Sequence, residues 1–214
     1  DLDTGNSTVI GVRAFDGDYE IVTSLASCLI DGMHEAGMSV VGKHFPGHGS
    51  VAADSHLELP VDTRDLATLK ELDMIPFQRL LHKLDAVMPA HVLYNQVDSV
   101  PAGISEIWLK QILRSELGFE GLTISDDLSM EGVAKSGDYC TRGRLSLAAG
   151  CNIILACNNR AGAIELLELD VDVDKGSVCY QPQQMLGKRG LDFATLKSSK
   201  RWQIASQNIK NLEL

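Results

Sequence analysis

The amino-acid sequence predicts an α/β fold with a parallel sheet, on two observations. Short apolar segments alternate with amphipathic ones along the chain, which is the pattern of repeated strand–loop–helix units. Three of the four predicted strands are mostly apolar, as strands covered on both faces are. A barrel and an open doubly wound sheet both satisfy this pattern, so periodicity alone leaves the choice between them open.

Helices are predicted where apolar residues recur at a spacing of three or four. In the first helix they are Ile21, Val22, Leu25, Leu29 and Met33, and Gly37 follows as a stop signal. The third helix has Ser105 as N-cap and Gly118 as stop. The predicted helices cover residues 19–36, 64–81, 105–117, 140–149, 160–167 and 198–212.

Strands are predicted at four short apolar segments, residues 39–42, 84–88, 122–124 and 152–156. Each ends in polar residues: Lys43-His44, then His91 after Pro89-Ala90, then Ser125-Asp126-Asp127, then Cys157-Asn158-Asn159. The carboxyl ends of parallel strands share one rim, which is where α/β proteins place their sites. We therefore expect these polar residues to meet there.

Composition excludes several classes of protein. The chain has 214 residues, of which 44% are hydrophobic and 22% charged, which is typical of a globular domain and excludes intrinsic disorder. No apolar segment approaches the ~20 residues of a membrane-spanning helix. A net charge of −10 repels phosphate backbones, so we expect neither nucleic acid nor a membrane as partner.

The cysteines indicate the redox compartment of the protein, and the number of strand–helix units indicates how much of a barrel the chain contains. The five cysteines are an odd number without a Cys-x-x-Cys pair, which predicts structural, unreactive thiols in a reducing compartment rather than a disulfide framework; they are Cys28, Cys140, Cys151, Cys157 and Cys179. The patterns around Cys28, Cys151 and Cys157 predict that these three are buried. The chain opens on Asp1, without an apolar signal segment. Four strand–helix units fall short of the eight, over about 250 residues, of a complete barrel. We expect a single barrel domain over residues 1–214 that lacks its amino-terminal part.

The densest polar segment holds three of the six histidines, His44, His48 and His56, within thirteen residues. In one interpretation His56 moves a proton and Asp54 orients its ring. In a second, the three histidines bind a metal together with Asp54 or His91, although the adjacent Lys43 cation opposes this. In a third, the segment is a solvated glycine-rich loop. The spacing leaves all three open.

Two further rim features are candidates for substrate contact or catalysis. The carboxylates of Asp126 and Asp127 cannot face the same way, so we expect one to point into the mouth of the barrel and the other to cap the following turn. The first could attack an anomeric carbon; in the alternative, both only cap. His91 is placed to line the pocket or to make a buried hydrogen bond, and Arg13 to hold a polar ligand or a structural carboxylate.

These motifs, taken in order, carry a resemblance to a known family. They are Lys43-His44-Phe45-Pro46-Gly47-His48-Gly49, Asp54-Ser55-His56, Pro89-Ala90-His91 and Ser125-Asp126-Asp127-Leu128-Ser129-Met130. The chain resembles the bacterial β-N-acetylglucosaminidases of glycoside hydrolase family 3 (the NagZ type) over nearly all of its length. The motif set is highly specific, whereas residues 168–198 match weakly and Val12 replaces a usually polar residue.

The resemblance implies a (β/α)8 TIM-type barrel, of which this chain is the carboxyl-terminal half or slightly more. It implies a retaining mechanism with Asp126 as nucleophile, His56 as general acid/base on a mobile loop at residues 45–59, and Asp54 as the dyad partner of His56. The residues expected to bind the sugar are Arg13, Lys43, His44 and His91.

The resemblance also implies a substrate and a setting. The substrate would be a terminal N-acetylglucosamine on a cytoplasmic muropeptide in cell-wall recycling, hydrolysed without a metal or organic cofactor. We expect a monomer. Two alternatives stay open: a metal-dependent hydrolase built on His44, His48 and His56, and a non-catalytic barrel fragment.

Overall fold

A four-stranded parallel sheet forms the centre of the computed structural model, which describes residues 1–7, 9–169, 182–188, 190 and 192–212. Its strands are β1 (Val41–Phe45), β3 (Ala86–Pro89), β5 (Leu122–Asp127) and β6 (Ile153–Leu155), and a second, smaller sheet pairs β2 (Val61–Asp62) with β4 (Leu93–Tyr94). The four predicted strands and their parallel pairing are confirmed. The prediction at Cys179 lies outside the described residues.

The order of the strands decides between the two architectures that periodicity left open. The central sheet runs β1-β3-β5-β6, which follows chain order without a reversal. A doubly wound sheet reverses its strand order at a switch point, whereas a (β/α) barrel adds each strand beside the previous one. The order therefore favours the barrel type within the part of the chain that is described.

Helices follow the strands, largely as predicted. They are α1 (Tyr19–Glu35), α2 (Leu66–Glu71), α3 (Ile75–Leu80), the π-helix Ile107–Glu116, α4 (Glu131–Ala134), α5 (Tyr139–Ala149), α6 (Arg160–Leu167), α7 (Phe193–Ser198) and α8 (Lys200–Leu212). Ser105 caps the π-helix by accepting from the Trp108 N–H, and Gly118 follows with a φ of 70°. None of the helices among these residues is long and apolar enough to cross a membrane.

The single helix predicted over residues 64–81 is wrong. The structure breaks it into α2 and α3 near Leu72. Pro76 lacks an N–H and its ring clashes with the carbonyl four residues earlier, which belongs to Leu72. The break turns Asp73 and Met74 inward, with exposed fractions of 2% and 0%. Arg64 then donates to Asp62 and Asp73 and links β2 to the break.

Two predicted buried thiols, Cys28 and Cys157, are exposed instead. On α1 the inward face carries Val22 and Ile30, and Cys28 lies two residues from Ile30 on the other side of the helix. Cys157 lies beyond the end of β6, outside the sheet. Cys151 is buried as predicted.

The main apolar core lies beneath the carboxyl end of β1. Phe45 is fully buried and packs edge-to-face against Phe77 and Trp108, with ring centroids 5.4 Å and 6.0 Å away. Tyr94 packs on Trp108 at 5.0 Å and donates its hydroxyl to the Gly47 carbonyl at 2.6 Å. Because Phe45 lies between His44 and Pro46, this packing fixes the backbone at the carboxyl end of β1, next to the polar side chain of His44.

Candidate active site

The carboxyl ends of β1 and β5 bring His44 and Asp126 to the same rim. His44 Nε2 lies 3.9 Å from Asp126 Oδ2, although β3 separates the two strands. Both side chains are mostly enclosed, with exposed fractions of 8% and 15%. The expected meeting of strand-end residues is confirmed for this pair.

The two adjacent carboxylates of β5 divide as predicted. Asp127 Oδ1 accepts from the backbone N–H groups of Ser129 and Cys157, both at 2.9 Å, and so caps the turn that leaves the strand. Among the described residues, the Asp126 side chain accepts a local hydrogen bond, from the Asp127 N–H to its Oδ1 at 2.8 Å. Its Oδ2 faces His44, so Asp126 is the carboxylate of the pair placed to react with a ligand.

His44 is held from behind by Asp1, which the sequence reasoning missed. Asp1 Oδ2 lies 2.6 Å from His44 Nδ1, and Asp1 Oδ1 accepts from the backbone N–H groups of His44 and His48 at 3.1 Å and 2.8 Å. Burial lowers the pKa of His44 to about 3, against the opposing charge of Asp126, so the ring is neutral at pH 7. Nothing in the local sequence marks Asp1, because its partners lie more than 40 residues away.

Asp54 and His56 form the dyad that the sequence predicts. Asp54 Oδ1 lies 2.8 Å from His56 Nδ1 and also accepts from the His56 backbone N–H at 2.8 Å. Partial burial acts to raise the pKa of Asp54, but these two bonds from His56 outweigh it and the pKa is lowered. The His56 side chain is 56% exposed. The ring is therefore oriented through Nδ1 and leaves Nε2 for proton transfer.

Contacts on both sides of the dyad fix the loop that carries it. His48 is buried and its Nε2 lies 2.8 Å from the Ser55 hydroxyl, while the Ser55 carbonyl accepts from the Gly132 N–H at 2.9 Å. Val51 belongs to the main core. Burial lowers the pKa of His48 to about 4, and the neighbouring His44 adds to the effect. The predicted mobility of residues 45–59 stays a prediction.

The three histidines of the metal alternative have separate partners. His44 bonds to Asp1, His48 to Ser55 and His56 to Asp54. Within the described ranges, no group of three His, Cys, Asp or Glu side chains is arranged to hold a metal ion. Each ring is thus oriented by a different side chain, and the dyad interpretation needs this orientation for His56 alone.

Of the remaining residues predicted to bind the sugar, Arg13 and Lys43 lie at the surface, whereas His91 is buried. Arg13 and Lys43 are exposed. Together with Asp1 and His44 they line a cavity of about 260 Å³. The other residues that line this cavity are mostly apolar side chains of α1 and α3. Asp126 and His56 are not among its lining residues, although His44, which lines it, lies 3.9 Å from Asp126. His91 is fully buried, and its ring lies against the Asp126 backbone. Burial lowers the pKa of His91.

A parallel α/β domain with a carboxylate at a strand end and a histidine–carboxylate dyad on the loop that follows β1 fits the class of glycoside hydrolases. Residues 1–185 match the family described as Glycosyl hydrolase family 3 N terminal domain. The chain therefore belongs to glycosyl hydrolase family 3.

Individual relatives agree with this membership. The chain is 47% identical over 212 residues to a beta-hexosaminidase of Tolumonas auensis, covering 98% of this chain and 62% of that protein. It is similar to NagZ from Neisseria gonorrhoeae in complex with N-trifluoroacetyl-D-glucosamine, with a TM-score of 0.88, 44% identity and coverage of 99% and 62%. The same protein in complex with zinc ion gives a TM-score of 0.84 at 41% identity, with coverage of 97% and 59%. The chain thus spans about three fifths of the length of these relatives.

Proposed function

We propose that this chain carries the catalytic residues of a retaining exo-β-N-acetylglucosaminidase. The observation that carries the proposal is that the chain presents both a strand-end carboxylate, Asp126, whose Oδ2 faces His44, and a partly exposed Asp54–His56 dyad on a loop. Support comes from relatives named beta-hexosaminidase and from a solved relative that holds an N-acylated glucosamine.

In the first step Asp126 attacks the anomeric carbon while His56 Nε2 gives its proton to the leaving oxygen. The C1–O bond to the leaving group breaks, an ester bond from C1 to Asp126 forms, and the aglycone departs as an alcohol. Asp54 stabilises the imidazolium that exists before this transfer. In the second step the now neutral His56 takes a proton from water, the hydroxyl adds to C1, and Asp126 leaves with the configuration retained.

The proposed sugar contacts are Lys43, His44 and Arg13, whereas His91 is fully buried. We further propose that the substrate is a cytoplasmic muropeptide whose terminal N-acetylglucosamine is removed during cell-wall recycling. The proposal needs no metal or organic cofactor, since a carboxylate and a dyad provide the nucleophile and both proton transfers.

We also propose that the described strands belong to the carboxyl-terminal half, or slightly more, of an eight-stranded barrel. Four strands in chain order and a coverage of 62% of the relatives support this. A barrel closes only when its last strand pairs with its first, so full activity is expected from a polypeptide that provides the remaining strands.

The testing experiment is release of chromophore from an aryl β-N-acetylglucosaminide, with and without a chelator, with circular dichroism to report folding. Chelator-resistant release that disappears in Asp126→Asn supports the glycosidase. Release that a chelator abolishes and zinc restores supports the metal-dependent hydrolase instead. Zinc is the metal to test because a solved relative is in complex with zinc ion. A folded, inactive chain that gains activity when the remaining barrel strands are added identifies a fragment, and one that stays inactive even then overturns the proposal.

A further inference from the structure

Asp1 provides a buried carboxylate that no other part of the proposed mechanism uses. Its side chain is 6% exposed and accepts three N–H groups from the segment that begins at the end of β1. Two of them are backbone N–H groups on Oδ1, from His44 and His48, and the third is the His44 ring nitrogen on Oδ2. The carboxylate thus orients a backbone turn and a ring together.

The contact with the ring determines where the imidazole carries its hydrogen. An ionised carboxylate only accepts hydrogen bonds, so His44 Nδ1 must be the protonated nitrogen of a neutral ring. His44 Nε2 is then an acceptor on the side that faces Asp126. The 3.9 Å separation from Asp126 Oδ2, beyond hydrogen-bond range, agrees with two acceptors facing each other.

We propose that Asp1 is a positioning residue that holds His44 in its Nδ1–H tautomer, so that Nε2 accepts the hydrogen of a sugar hydroxyl and donates nothing to Asp126 Oδ2. This rests on the proposed function for the identity of the ligand, whereas the tautomer itself does not. In the opposite tautomer the Nε2–H would turn to Asp126 as the nearest acceptor. A carboxylate that accepts a hydrogen bond in this way is a weaker nucleophile, and the ring would lose its acceptor for the hydroxyl.

Asp1→Asn separates the two tautomers with little change in shape. The amide oxygen takes the place of Oδ1, because reversing the amide would set its NH2 against two backbone N–H donors. The NH2 group then faces His44 Nδ1 and requires it to be the acceptor. The ring hydrogen therefore moves to Nε2, next to Asp126.

The experiment is ¹⁵N NMR of the histidine-labelled chain at pH 7, with His44 assigned through the loss of its signals in His44→Gln. We expect protonated Nδ1 and bare Nε2 in the unsubstituted chain, and the reverse in Asp1→Asn. Asp3→Asn is the matched control, because the hydrogen bond of Asp3 Oδ1 seen in the described part of the chain is an exposed one, from the Gly5 N–H; it should leave the His44 signals unchanged. An Nε2–H ring in the unsubstituted chain, or an unchanged ring in Asp1→Asn, overturns the proposal.

Kinetics add a second measurement on the polypeptide in which hydrolysis is found. Asp1→Asn should lower kcat by roughly 10- to 100-fold, the size seen when a positioning partner of a functional histidine is lost, while Asp3→Asn stays near the unsubstituted rate. An equal kcat in both variants would contradict the role. If no form of the protein hydrolyses glycosides, the proposed function fails, and the NMR result still decides the tautomer.

Discussion

The groups to which we assign catalytic roles lie in two regions of opposite character. At the strand ends, His44 and Asp126 are 8% and 15% exposed and held by backbone and buried contacts. On the loop, Asp54 and His56 are 30% and 56% exposed and bond chiefly to each other. A nucleophile benefits from a fixed position, because its reach toward carbon is short. A group that protonates one oxygen and then deprotonates water benefits from access to both.

The largest expected effect falls on the strand-end region. Asp126→Asn should lower kcat for an aryl β-N-acetylglucosaminide by at least about 1,000-fold, because the neutral amide cannot form the ester to the sugar. Circular dichroism should be unchanged, since Asn keeps the acceptor for the Asp127 N–H. Asp127→Asn is the control, because that side chain only caps a turn and its amide oxygen still accepts from Ser129 and Cys157. Equal losses in the two variants would contradict the division of roles.

The loop region should respond differently to the leaving group. His56→Ala removes general acid catalysis, which contributes about 10²- to 10⁴-fold, and a disaccharide should lose more rate than an activated aryl glycoside, whose leaving group needs no proton. Steady-state rates on both substrates measure the ratio. His82→Ala, at an exposed histidine outside the loop, should leave it unchanged. A His56→Ala variant that slows both substrates alike would show that the ring does not act as the acid.

Burial of histidine in the strand-end region predicts a loss of stability in acid. Burial lowers the pKa of His48 to about 4, so between pH 6.5 and 4 the unfolded chain binds a proton that the folded chain does not. The free energy of unfolding therefore falls as pH decreases through this window, by about 3 kcal/mol from His48, with His44 and His91 acting in the same direction.

Urea unfolding at a series of pH values measures this loss. In His48→Gln, which keeps a polar partner for Ser55, the fall between pH 6.5 and 4 should be smaller. In His82→Ala, at an exposed histidine outside the loop, it should match the unsubstituted chain. A His48→Gln variant with an undiminished slope would show that another group carries the acid sensitivity.

The sequence predicts those parts of the molecule that depend on neighbours along the chain. The four strands, the Asp127 cap and the Asp54–His56 dyad all involve residues close in sequence or at strand ends, and each appears in the structure. Asp1 was missed because its contacts with His44 and His48 span 43 and 47 residues. The break between α2 and α3 was missed although Pro76 signals it, because apolar spacing continues through it.

The smallest expected effect concerns the connection between the two regions. The Ser55 hydroxyl lies 2.8 Å from His48 Nε2, so it ties the dyad loop to the strand-end region, while the Ser55 carbonyl keeps its bond to Gly132 in any side-chain variant. Ser55→Ala should lower the free energy of unfolding by about 1 kcal/mol, the net value of one buried hydrogen bond. It should also slow the disaccharide a few-fold more than the activated aryl glycoside, because the loosened loop positions His56 less well.

Ser50→Ala is the matched control for this last effect. Its hydroxyl donates to Asp73 Oδ1 at 3.2 Å near the base of the same loop, away from the dyad. It should lower stability to a similar degree and leave the ratio of the two substrates unchanged. If both serine variants change the ratio alike, the loop moves as one body and Ser55 has no special part in placing His56. A change confined to Ser55→Ala would mean that the buried region governs the exposed one through this single contact.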